Sequence, residues 1–215
     1  MTVDLVIFDC DGVLVDSEPA SDRVISDFLT ENGLAVTPPE VHSLFVGGTM
    51  ASVGEEAMRR GAQLPEGWLE ALYARVFDRL GQGVPVIAGV TEMIDLLDAR
   101  GIAKAIASNG PVRKMEITLT PSGLLNRFAP HIYSGHDHGP KPAPDMIHRI
   151  MADLGVDPAR AGMIDDTPTG CRAAQAAGIR CFGFAPDGNA ARFAGTGAEM
   201  VRSLDEVQDR LGLRD

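Results

Sequence analysis

The first residues that could do chemistry are Asp9 and Asp11, two carboxylates one residue apart where the apolar run Leu5-Val6-Ile7-Phe8 stops, followed at once by Gly12. Side chains alternate along extended backbone, so both acids project to one side, and glycine then lets the chain turn sharply away. A run apolar on both faces is what a central parallel strand needs, and ligands of open α/β sheets bind at the carboxyl ends of strands. A carboxylate pair there can hold a hard cation and still present a free oxygen. Two other readings share the same opening. A helix-loop-helix calcium loop also begins Asp-x-Asp, but it needs an acid at its fifth position and glycine at its sixth, where this chain has Val13 and Leu14. An ordinary strand-end turn, where Asp and Gly are common for conformational reasons, stays open for Asp9 to Asp11 taken alone.

Three further strand ends carry polar residues of interest. Ile106-Ala107 leads into Ser108-Asn109-Gly110-Pro111, a hydroxyl and an amide before the start of a helix, where free N–H groups favour an anion. Taken alone, such residues before a helix are more often caps. Lys141 stands between Pro140 and Pro142, on stiff extended backbone that can present an ammonium at low entropic cost, although a solvated loop lysine is the commoner outcome. Met163-Ile164 runs into Asp165-Asp166. Acids at a helix start suit its dipole, but adjacent acids after a buried strand repel unless a cation is present.

These segments resemble, in order and spacing, the four motifs of the haloacid dehalogenase superfamily, in the subgroup of phosphoglycolate phosphatases and β-phosphoglucomutases. The residues that carry the resemblance are Phe8 to Glu18, Ser108, the run Lys141-Pro142-Ala143-Pro144-Asp145, and Asp165-Asp166. It implies an aspartyl-phosphate enzyme with Asp9 as nucleophile, Asp11 as acid and base, and Ser108 on the transferring phosphoryl group, with Asn109 and Gly110 beside it. Lys141 would offset charge on the nucleophile and the phosphate. Mg²⁺ is the implied cofactor, with Asp9, Asp11, Asp165 and Asp166 as its candidate ligands, Asp11 through its carbonyl. The family usually shows Glu-Asp-Ser where this chain has Asp165-Asp166-Thr167. The shorter first acid is expected to leave the direct role with Asp166. Cys10, pointing away from the two acids, is assigned to packing.

The elements that must position these residues can be read from periodicity. From about residue 16 to 86 apolar residues recur at helical spacing, as in Val24, Ile25, Phe28 and Leu29, and no convincing strand appears. After that, strands expected at 102–107, 131–134, 161–164, 180–184 and about 200–201 alternate with helices at 90–100, 112–119, 144–154, 169–177 and 204–211. Repeated strand-helix units with short connections argue for an α/β fold with a doubly wound, Rossmann-like parallel sheet. The expected division is a core of residues 1–15 and 87–215 with an inserted helical cap of residues 16–86. The cap is expected to move about hinges near 15–18 and 84–89, with Glu18, Gly47 and Gly48 reading the substrate.

Composition narrows the partners. Of 215 residues, 19 are Lys or Arg and 30 are Asp or Glu, a formal charge of -11 with no basic block, which argues against an extended phosphate backbone and so against nucleic acid. A small phosphorylated metabolite remains suitable, since a metal and one lysine can neutralise it locally. Three cysteines without Cys-x-x-Cys spacing indicate neither a disulfide framework nor a zinc site. No apolar run reaches the length of a membrane span, and the first strand begins too early for a signal segment, so a cytoplasmic monomer is expected.

The expected activity is Mg²⁺-dependent hydrolysis of a small phosphomonoester. A phosphomutase of the β-phosphoglucomutase type is the alternative, and a catalytically silent binding protein is a third. In those mutases a cap-hinge histidine restrains attack by water, and the matching position here is Ser21. The run Ser108 to Pro111 followed by Lys114-Met115 is similar to a bacterial 6-phosphogluconate phosphatase subgroup, which suggests a sugar or sugar-acid phosphate.

Overall fold

The computed structural model of the chain describes residues 3–45 and 50–214. They form two compact units, one made of the chain up to Asp16 together with Val86 onward, the other of Ser17–Pro85.

The first unit is built on a six-stranded parallel sheet. Its strands are β1 (Leu5–Phe8), β2 (Ala103–Ser108), β3 (Ile132–Ser134), β4 (Ala161–Asp165), β5 (Arg180–Phe184) and β6 (Glu199–Val201), in the order β3-β2-β1-β4-β5-β6. The chain builds outward from β1 on one side, then crosses and builds outward on the other. The order therefore reverses between β1 and β4, the kind of crevice where doubly wound sheets bind ligands.

The apolar run of β1 is explained by its place. Leu5 pairs with Ala103 and Ala161, and Phe8 with Ile106 and Ile164, so the strand has a neighbour on each side. Leu5, Val6, Ile7 and Phe8 are all fully buried. Leu5 and Ile7 pack into a cluster with Met146, Ile147 and Ile150 of α9 (Asp145–Leu154) and Cys171 and Ala174 of α10 (Pro168–Ala176). On the other face Phe8 meets the edge of Phe128 in α7 (Leu124–Phe128), with ring centroids 5.5 Å apart. Burying one such side chain stabilises by about 1.5–3 kcal/mol, so a strand covered on both faces cannot afford a polar residue before its end.

The remaining helices of this unit are α5 (Val90–Ala99), α6 (Val112–Leu119), α8 (Gly135–His138) and α11 (Leu204–Leu211). The doubly wound sheet and most helices agree with the periodicity. The short helices α7 and α8 were not expected from it.

The second unit contains α1 (Glu18–Glu31), α2 (Pro38–Phe45), α3 (Met50–Arg59) and α4 (Trp68–Gly81), and no strand among the described residues. Its own core explains its apolar stripes: Ile25, Phe28 and Leu29 of α1 and Leu72, Val76 and Leu80 of α4 are buried, as are Val41, Val53 and Ala57. Arg75 lies over the Phe28 ring, 5.1 Å from its centroid, while its guanidinium reaches Glu31 at 2.6 Å.

Candidate active site

Asp9, Ser108 and Asp165 all stand at the carboxyl ends of adjacent central strands. The Asp9 N–H donates to Ile164 O at 2.9 Å, which continues the β1–β4 ladder one residue beyond the apolar run. The chain then folds back: the N–H groups of Leu14 and Val15 donate to Cys10 O at 3.0 and 3.2 Å, and Gly12 N–H to Val15 O at 2.8 Å. Gly12 has φ +83°, and a Cβ there would lie 2.3 Å from Asp166 Oδ2. Glycine is thus required twice, for the turn and for the approach of the Asp166 carboxylate.

Lys141 supplies the charge at the centre. Its ammonium donates to Asp9 Oδ1 at 2.5 Å and to Asp165 Oδ2 at 2.7 Å, and all three residues are buried, with 6%, 8% and 0% of their surfaces exposed for Lys141, Asp9 and Asp165. Burial works against this ammonium, but Asp165 and Asp9 outweigh it and hold Lys141 above the usual lysine range. Burial pushes the Asp9 carboxyl up to about 7; Lys141 opposes that rise, and Asp165 and Asp11 add to it. The two ends of the Asp9–Lys141 pair therefore shift in opposed senses, one favouring charge and the other resisting it. A single ammonium shared between two buried carboxylates accounts for both, since the lysine gains two anions while each anion gains half a cation.

Asp165 is held by more than Lys141. Its Oδ1 accepts from the Thr167 N–H at 2.9 Å and from Thr167 Oγ1 at 2.6 Å, and Thr167 Oγ1 in turn accepts from Gly170 N–H at 3.0 Å, capping α10. A Cβ on Gly170 would fall 1.8 Å from Asp165 Oδ2, so the helix start leaves room for this carboxylate. Both Asp165 oxygens are committed to hydrogen bonds. Asp165, one of the candidate metal ligands with the direct role expected at Asp166, anchors Lys141 and the turn into α10. Asp166 diverges from it, as consecutive residues after a strand should, and lies against Gly12.

The phosphate cradle expected after β2 is partly internal structure. Ser108 is 2% exposed and its Oγ accepts from Gly110 N–H at 3.1 Å, which leaves the hydroxyl its own proton to donate. Gly110 O accepts from Ser134 Oγ at 2.7 Å, tying the loop to the end of β3. The Asn109 side chain, expected on phosphate, is committed elsewhere: its Oδ1 accepts from Lys141 N–H at 2.7 Å and its Nδ2 donates to Lys141 O at 3.1 Å.

One residue that the sequence marks only as part of a subgroup similarity, with no role in the chemistry, joins the site. Lys114, in α6, donates from Nζ to Asp11 Oδ2 at 2.7 Å. Burial works against its ammonium too, yet Asp11 outweighs it and raises Lys114 above the usual range. Its sequence signal is the Lys114-Met115 pair one turn after the Ser108 loop, which carries the subgroup similarity but does not point to Asp11.

Glu18 belongs to the other unit, where it begins α1 with its carboxylate 3.9 Å from His42 Nδ1. Gly47 and Gly48 lie outside the described residues. Cys10 is buried, and burial foremost pushes its thiol well above the ordinary range, which suits a packing role.

The donor set fits a hard divalent cation. The carboxylates of Asp9, Asp11, Asp165 and Asp166 stand at this end of the sheet, the first three bonded to the ammonium groups of Lys141 or Lys114 and the last against Gly12, and carboxylate and carbonyl oxygens are the donors that Mg²⁺ takes. Among the described residues no group of three or more His, Cys, Asp or Glu side chains forms a ready-made cage. Mg²⁺ does not require one, since it keeps several waters and is held by one or two carboxylates.

Comparison with known proteins agrees with this geometry. The family model described as haloacid dehalogenase-like hydrolase matches residues 6–184. The 6-phosphogluconate phosphatase of Escherichia coli (strain K12) is 28% identical over 191 residues, covering 86% of this chain and 84% of that protein. A conserved haloacid dehalogenase-like protein of unknown function from Agrobacterium tumefaciens superposes with a TM-score of 0.81 at 33% identity, over 98% of both chains. A HAD family hydrolase from Deinococcus radiodurans, whose crystal structure contains bound phosphate and sodium, gives a TM-score of 0.83 at 31% identity over 98% of this chain and 97% of that one.

Proposed function

The chain belongs to the haloacid dehalogenase-like hydrolases, and from that premise we propose that it is a Mg²⁺-dependent phosphatase acting on a small phosphomonoester, a sugar or sugar-acid phosphate. The observation that carries the reading is the buried Lys141 ammonium, bonded to Asp9 at 2.5 Å and to Asp165 at 2.7 Å. It holds a nucleophile beside a fixed positive charge at the switch point of the sheet.

Asp9 attacks phosphorus through a carboxylate oxygen, the bond from phosphorus to the leaving oxygen breaks, and Asp11 delivers a proton to that oxygen. Asp11 then takes a proton from the water that attacks phosphorus, the bond from phosphorus to the Asp9 oxygen breaks, inorganic phosphate leaves, and the Asp9 carboxylate is regenerated. Ser108 Oγ and the N–H groups of its loop stabilise the phosphoryl oxygens, and Lys141 balances charge on Asp9 and on the phosphate. Asp165 and Asn109 keep Lys141 in place, one through its ammonium and the other through its backbone. The carboxylates of Asp9 and Asp166 and the carbonyl of Asp11 would hold Mg²⁺, which supplies positive charge between two anions that otherwise repel.

The sugar-phosphate preference rests on the similarity to the Escherichia coli 6-phosphogluconate phosphatase and on the Ser108 to Met115 run. Hydrolysis is preferred over phosphoryl return to a sugar because Ser21 stands where the mutases carry histidine, and its hydroxyl donates to Ser17 O at 3.1 Å within its own helix. The test is phosphate release from an aryl phosphate with and without Mg²⁺, followed by a panel of phosphorylated sugars and sugar acids ranked by kcat/KM. The wild type should turn over only with Mg²⁺, and a folded Asp9→Asn variant should release no phosphate. Near-normal release by that variant removes Asp9 from its role.

A further inference from the structure

Lys114 lies in the first turn of α6. Its N–H donates to Pro111 O at 2.9 Å, and its carbonyl accepts from Thr118 Oγ1 at 2.7 Å. From that fixed base its aliphatic stem passes Gly110: a Cβ there would sit 3.4 Å from Ser108 Oγ and 3.6 Å from Lys114 Cδ. The stem and the Ser108 hydroxyl thus border one small space. The ammonium then reaches Asp11 Oδ2, a residue 103 positions earlier in the chain, at 2.7 Å.

Exposed lysine–aspartate contacts hold little in place. This one differs in two respects. Its side chains are largely enclosed, with 25% of Lys114 and 20% of Asp11 exposed. Its acid also sits on a turn whose backbone is already tied by Gly12 N–H to Val15 O and Leu14 N–H to Cys10 O. With the backbone set, the Asp11 carboxyl group is oriented through its side-chain torsions. A charge-assisted hydrogen bond from a helix-mounted ammonium restricts rotation about them.

We propose that Lys114 is a positioning residue for Asp11, fixing the orientation from which its carboxyl group exchanges protons with the leaving group and with water. The inference rests on the reading of Asp11 as acid and base. Lys114 itself neither gains nor loses a proton in either half of the reaction. Asp11 gives its proton to the leaving oxygen as the phosphorus–oxygen bond breaks and recovers one from the hydrolytic water.

The test compares kcat/KM, which reports phosphoryl transfer to Asp9, for two kinds of substrate. p-Nitrophenyl phosphate has a leaving group that needs no proton, whereas an alkyl phosphate turned over by the wild-type enzyme has one that does. Asp11→Asn calibrates the measurement and should depress the alkyl substrate far more than the aryl one. Lys114→Met should repeat that selectivity, with about a ten- to hundredfold loss on the alkyl phosphate, the scale that misplacing a reacting group brings, and less than about threefold on the aryl phosphate. Lys114→Arg, which keeps the charge and the donor, should restore part of the loss. Selective loss in Asp11→Asn with equal loss on both substrates, or none, in Lys114→Met overturns the inference alone. Equal loss on both substrates in Asp11→Asn overturns the reading of Asp11, and the inference with it.

Discussion

Asn109 and Lys141 are clasped by two hydrogen bonds, the Lys141 N–H donating to Asn109 Oδ1 at 2.7 Å and Asn109 Nδ2 donating to Lys141 O at 3.1 Å. An amide side chain here does the work of a backbone strand, joining the loop after β2 to the loop that carries the lysine. Only Asn offers an acceptor and a donor at this reach, since Asp would set an oxygen against the Lys141 carbonyl. Asn109→Ala and Asn109→Asp should each lower kcat/KM on an aryl phosphate by about ten- to a hundredfold, because the reacting groups are displaced while the chemistry remains available. The Mg²⁺ concentration for half-maximal activity should stay unchanged in both. A raised Mg²⁺ requirement would mean that Asn109 acts on the cation site and not on Lys141.

Two glycines separate the same two halves of the site. Gly170→Ala puts a methyl group where Asp165 Oδ2 now lies, 1.8 Å away, and must push Asp165 off Lys141. Gly12→Ala adds backbone strain at φ +83° and drives a methyl group to 2.3 Å from Asp166 Oδ2. Both variants should lose activity, but only Gly12→Ala should also raise the Mg²⁺ requirement. Metal titrations of the two variants decide this, and equal Mg²⁺ requirements would show that the carboxylates do not divide their labour in this way.

Gln208 tests the packing of the core unit away from the chemistry. It is fully buried on α11 beside Leu204, Val207 and Leu211, and neither Oε1 nor Nε2 has a hydrogen-bond partner among the described residues. A buried polar group in that condition costs about 1–3 kcal/mol. Gln208→Leu or Gln208→Met, close in volume, should raise Tm by about 2–4 °C per kcal/mol recovered in a chain of this size and leave kcat/KM unchanged. A lowered Tm in both variants would show that the amide is satisfied by water.

How far the sequence discloses this site depends on what marks each residue. Asp9, Ser108 and Asp165 are legible because each ends a buried apolar run, where a polar residue needs a reason. Lys141 is legible because prolines flank it. Lys114 lacks any such mark: it is a helix lysine in an ordinary amphipathic stretch, and only the fold brings it across 103 positions to Asp11. Asn109 was visible as a residue, but its partner was not, because a side chain that bonds backbone leaves no complementary residue type to find. The short helices α7 and α8, of five and four residues, escape for a different reason, since neither is long enough to show a helical period. Gly170 could have been found, as a glycine in the first turn of a helix needs a cause, and that cause is the Asp165 carboxylate.

The division between Asp165 and Asp166 yields the sharpest prediction. Both follow β4, and their side chains part company: Asp165 is fully buried and spends both oxygens on Lys141 and Thr167, whereas Asp166 lies against Gly12 at the exit of β1. A carboxylate already accepting three hydrogen bonds has little left for a cation, while one beside the Asp9 to Gly12 turn stands where Asp9 can share an ion with it. Asp166→Ala should therefore raise the Mg²⁺ requirement steeply and abolish the rise in Tm that Mg²⁺ gives the wild-type protein, since an ion that binds only the folded state stabilises it by mass action. Asp165→Ala should keep that Mg²⁺-dependent rise in Tm, lose kcat/KM through the release of Lys141, and unfold at lower temperature because the ammonium is left with one buried partner in place of two. Thermal shifts with increasing Mg²⁺ separate the variants without relying on turnover. If Asp165→Ala abolishes the Mg²⁺-dependent shift while Asp166→Ala retains it, the ligand is Asp165 and the assignment is reversed.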